Sequence, residues 1–107
     1  MGHDLASLVS RIRGMLDPRS PDPGQPLLTE MEHTLTDGYA RALELEGERL
    51  RLERRIGELA SRIEGLDEAG ELRVLAQRLR NADENLASLR DVLGELQQRV
   101  EAERTAA

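Results

Sequence analysis

The chain has 107 residues, no cysteine, a net charge of −6, and 1 % aromatic content, all of it Tyr39. That length suits one small domain, and the composition excludes disulfide and thiolate chemistry, withholds the aromatic anchors of an ordinary core and makes nucleic acid a poor partner. With 34 % charged residues and leucine as the main apolar residue, the pattern is that of long helices and coiled coils, so the fold is expected to be all-α.

Residues 4–16 read DLASLVSRIRGML. Leu5, Leu8, Val9, Ile12 and Leu16 fall on one helical face, while Arg11 and Arg13 lie off it. A short amphipathic helix is expected over the segment 1–16. In isolation it is marginal, because helices this short barely form in water. Residues 17–26 read DPRSPDPGQP and hold all four prolines of the chain. Helix is excluded there, and an extended, fairly stiff linker is expected.

Residues 27–107 contain no proline. Leu28, Met31, Leu35, Gly38, Ala42, Leu45, Arg49, Leu52, Ile56, Leu59, Ile63 and Leu66 follow one another in alternating steps of three and four. After a phase break the rhythm restarts at Leu72, Leu75, Leu79, Ala82, Leu86, Leu89, Leu93, Leu96 and Val100. A repeat sustained this long predicts coiled-coil packing.

The break itself reads as a hairpin tip. Gly65 suits a left-handed C′ position with Leu66 as the apolar residue after it. Asp67 suits an N-cap, with Glu68 and Glu71 near the positive end of the next helix. Arms of about 28–64 and 68–104 are expected, with the tip at 65–70. Antiparallel folding pairs Leu59 with Leu75, Ile56 with Leu79, Leu52 with Ala82, Leu45 with Leu89, Ala42 with Leu93, Gly38 with Leu96 and Leu35 with Val100. Small residues then face large ones, as space-filling layers require. Arg49 is the exception: it falls opposite Leu86 and is expected to reach outward toward Asp83.

Two helices alone expose too much apolar surface, and the first arm carries a second stripe, Tyr39, Leu43 and Leu50, beside the seam. That stripe is expected to be covered by a second copy of the chain, as a four-helix bundle homodimer, or by residues 4–16 folded back.

Chemistry is sparse. Glu30 and His33 share the Glu-x-x-His spacing of carboxylate metal bundles, but both point away from the leucine seam, and the one other histidine is His3. No triad, thiolate or phosphate-binding loop can be assembled. The arginines at 49, 51, 54, 55 and 62 interleave with Glu48, Glu53 and Glu58, which is the pattern of a solvated, salt-bridged face, without base-stacking aromatics. No enzyme activity, cofactor or metal is expected. No apolar run reaches the roughly 18–20 residues of a membrane span, and no secretory signal is visible, so a cytoplasmic location is expected.

Two resemblances bear on function. A coiled-coil hairpin with an acidic tip, here Glu64, Asp67, Glu68 and Glu71, resembles in outline bacterial transcription factors of the Gre type. That likeness implies a tip inserted into the secondary channel of RNA polymerase. A short amphipathic helix on a Pro/Gly tether, residues 4–26, looks like the encapsulation peptides that dock cargo to bacterial microcompartment shells. It implies an adaptor or cargo protein held to a partner through Leu5, Leu8, Val9, Ile12 and Leu16. The main expectation is a non-catalytic scaffold or adaptor acting through helix–helix contacts. Its seam is Leu35, Leu45, Leu52, Ile56, Leu59, Leu75, Leu79, Leu86, Leu89, Leu93 and Leu96.

Overall fold

The computed structural model describes residues 5–17, 28–62 and 64–106. Three helices make up these residues: α1 (Leu5–Leu16), α2 (Leu28–Ala60) and α3 (Leu66–Ala106). The expected proline linker lies outside the described residues except for Asp17, and Ile63 lies outside them too. The molecule is a rod of 62 × 24 × 22 Å.

α2 and α3 pack along their lengths and run antiparallel. Cross-helix ion pairs show the direction: Arg104 binds Glu32 at 2.8 Å, Arg90 binds Glu46, Arg49 binds Asp83 at 2.9 Å, and Arg55 binds Glu71 at 3.2 Å. Arg49, the one charge in the heptad frame, also reaches Glu53 at 3.1 Å. Its stem lies over the seam while its head stays in water, so the charge is never desolvated. All four pairs are substantially exposed, and each adds well under about 1 kcal/mol.

The seam does the holding. Met31, Leu35, Ala42 and Leu45 of α2 are buried with Leu86, Leu89, Leu93, Leu96 and Val100 of α3. Gly38 is buried among them, and a Cβ placed on it would lie 2.3 Å from Cδ2 of Leu93. Leu93, rather than Leu96, is therefore its close neighbour. A knob in a coiled coil sits between residues of the facing helix, not directly opposite one. Gly38→Val is expected to cost about 1–3 kcal/mol by overpacking. Gly70 has nothing within 4 Å of such a Cβ, so Gly70→Ala is expected to add about 1 kcal/mol through helix propensity alone. Urea titrations of the two variants check both signs.

The tip differs from its expected form. α2 stops at Ala60 and α3 starts at Leu66, so both arms depart from the 64 and 68 limits. Gly65 is not left-handed: among the described residues no glycine has positive φ. The end of α2 is satisfied by other means. Ser61 Oγ donates to the Glu58 carbonyl at 2.8 Å, and the Arg62 amide donates to Leu59 at 3.0 Å. With those carbonyls paired, no Schellman turn is required. Gly65 instead opens α3, its carbonyl accepting the Ala69 amide at 3.3 Å. That is the N-cap role expected of Asp67, which lies inside the first turn.

α1 folds back onto the open end of the hairpin, chiefly against α3. Leu8 and Ile12 are buried, and Leu5, Val9, Met15 and Leu16 pack around them. This third helix explains a gradient along the rod. Where α1 sits, the seam is sealed. Toward the tip, Leu59, Leu75 and Ala82 are buried, but Leu52, Ile56, Leu72 and Leu79 are only half-buried.

Candidate interaction surfaces

The first surface is the receptor for α1. On α3, Asn85 and Ser88 line a cleft with Leu5, Ala6, Val9, Ser10 and Arg13 of α1. One turn further along the same face, Val92 is buried. On α2, Asp37 meets Arg11 at 3.6 Å at the rim. Thr34, one turn before it, is buried and closes its hydroxyl onto the Glu30 carbonyl at 2.9 Å. Thr34 and Val92 lie off the heptad seam, so the coiled-coil rhythm does not mark them. The signal that could have found them was α1 itself, whose apolar face needed a receptor flanking the seam. All five expected docking residues, Leu5, Leu8, Val9, Ile12 and Leu16, belong to this contact. Their apolar face is thus turned onto the protein's own hairpin.

The second surface is the stripe on α2. Tyr39, Leu43 and Leu50 are 49 %, 69 % and 47 % exposed. α1 does not cover them. Asp37 faces α1, and Tyr39 lies about 200° further round the helix, on the far side of the seam. Folding back of residues 4–16 therefore fails as the cover for this stripe. Next to it Ala40, Arg41, Leu43, Glu44, Gly47, Glu48 and Arg51 line a shallow recess. Arg41 pairs with Glu44 at 3.0 Å, while its Nε is buried without a hydrogen-bond partner.

The third surface is the acidic tip. Glu64, Asp67 and Glu71 are exposed and Glu68 is half-buried. Asp67 and Glu68 lie in the first turn of α3, where the helix dipole favours negative charge. Glu71 is held by Arg55 at 3.2 Å. The helix dipole accounts for Asp67 and Glu68, and the cross-helix pair with Arg55 accounts for Glu71. Neutralising two of them, as Asp67→Asn with Glu68→Gln, is expected to cost less than about 2 kcal/mol in thermal unfolding and to leave the mass in solution unchanged.

Glu30 and His33 are both exposed, and among the described residues no group of three His, Cys, Asp or Glu side chains could hold a metal ion. No described helix is long and apolar enough to cross a membrane. No protein-family model matches the chain, and no curated protein or solved structure matches it, so its function has to be read from its own residues.

Proposed function

We propose that this chain is a non-catalytic assembly protein that works through helix–helix contacts, and that it forms a homodimer through α2. The observation that carries the reading is the stripe Tyr39, Leu43 and Leu50, exposed on the side of α2 that neither α3 nor α1 covers. Three large apolar side chains aligned on one helical face offer a patch that a partner can cover.

The stripe is self-complementary. A two-fold axis near Gly47, with the two α2 helices antiparallel, sets Leu43 of one copy against Leu50 of the other. The same operation brings Glu44 beside Arg51, twice. Gly47 at the centre favours close approach: a Cβ there would meet only the flexible Arg51 guanidinium, at 3.5 Å. Packed this way, two hairpins contribute their α2 and α3 helices to a four-helix arrangement, with each α1 outside the new interface. Absolute mass by light scattering on the full chain tests the reading. A mass of two chains supports it, and a mass of one chain at all concentrations removes it.

A further inference from the structure

We infer that the groove at the open end of the hairpin is an exchangeable helix-docking site, and that the α1 helix of a second copy can occupy it in place of the chain's own. This goes beyond dimerisation through the α2 stripe and uses a different surface. Three observations carry it.

First, the contact is built from side chains on a separate helix. Leu8 and Ile12 are buried in one apolar cluster with residues of α3 that include Leu89, Val92 and Leu96. The rim carries the Arg11–Asp37 pair, which is half-exposed and loose at 3.6 Å.

Second, the hairpin pairs without a third helix. In the tip half α2 and α3 pack unaided, with Leu59, Leu75 and Ala82 buried. Val74, about five turns before Val92 on the same face of α3, is 53 % exposed. It shows the same flank with nothing laid over it. Release of α1 therefore leaves a paired hairpin with an open groove, not an unfolded chain.

Third, the occupant defines the ligand. The groove takes a twelve-residue amphipathic helix with apolar residues at Leu5, Leu8, Val9, Ile12 and Leu16, plus an arginine at the position of Arg11. The α1 of a second copy has this chemistry by identity. It would restore every contact without a new interface, which is the low-cost logic of swapping. A helix this short is not stable alone, so α1 folds as it docks. Its residence is set by competition between the tethered copy and free ones.

The absence of cysteine makes a clean test possible. Two full-length variants, Arg11→Cys and Asp37→Cys, are mixed in a background carrying Leu43→Glu and Leu50→Glu, and treated with a short bis-maleimide. Exchange predicts a covalent heterodimer whose yield rises about tenfold as concentration rises tenfold, because trans docking competes with a fixed effective concentration of the tether. A peptide of residues 4–17 in excess should abolish it. The doubly substituted chain, Arg11→Cys with Asp37→Cys, closes on itself and confirms that the reagent spans the site. Four cross-linking results would overturn the inference. One is an efficient intramolecular link with no heterodimer. Another is a heterodimer no more abundant than links between like variants. The third is a heterodimer that the peptide cannot displace. The last is a link that forms only with Leu43 and Leu50 intact; it would assign the contact to the α2 stripe. Peptide binding without chain exchange would mean that the groove accepts a free helix but not a second copy, which also sinks the proposal.

Discussion

A chain carrying Leu43→Glu and Leu50→Glu is expected to have the mass of one chain under conditions where the unaltered protein has the mass of two. Both side chains are substantially exposed, 69 % and 47 %, so the substitutions remove little packing from the hairpin. Helical content and unfolding midpoint at low concentration should stay within the small range of surface changes. At the two-fold interface, however, the carboxylate placed at position 43 of one copy would meet the one placed at position 50 of the other, twice, setting like charges together. Burying an unpaired charge is among the most costly changes available to an interface. The expected loss in dimer affinity exceeds a hundredfold, which corresponds to about 2.7 kcal/mol. Light scattering reads the mass and circular dichroism reads the fold. If the double variant stays dimeric, the two copies meet elsewhere and the α2 stripe is not the interface.

The second large effect lies in the seam. Leu96 is fully buried at the level where all three helices meet. Leu96→Ala removes its transfer energy and leaves a cavity, which for buried leucines costs about 3–5 kcal/mol. A domain of this size has only about 5–15 kcal/mol in total, so the urea midpoint should fall by about a fifth or more. Leu66→Ala is the control. Leu66 belongs to the same heptad rhythm but is 88 % exposed at the start of α3, and its loss should change stability by less than about 0.5 kcal/mol. Equal effects at the two positions would mean that the seam does not run as described.

That contrast between Leu66 and Leu96 marks the limit of what periodicity can say. Alternating steps of three and four determined that the chain is helical, that its long segments pair along a leucine seam, and where the phase breaks between them. They also made Arg49 the one charge in the seam, with Asp83 as its outlet. Those results follow from local geometry, since 3.6 residues per turn decides which residues share a face. The tip was legible only as a region. Gly65 can end one helix or begin the next. The choice went to the second role because Ser61 and Arg62 already satisfied the carbonyls of α2.

That α1 folds back on the hairpin was legible only as one of two alternatives, and the side it takes was not legible. Its apolar face was plain in the sequence, but that face fits any groove of suitable width. Only the tertiary structure decided that it covers Val92 and Thr34 on one side of the hairpin and leaves Tyr39, Leu43 and Leu50 bare on the other. The reason is physical. A helix's own residues determine that it must bury a face; which surface receives that face depends on the shape presented by other segments far away in the chain.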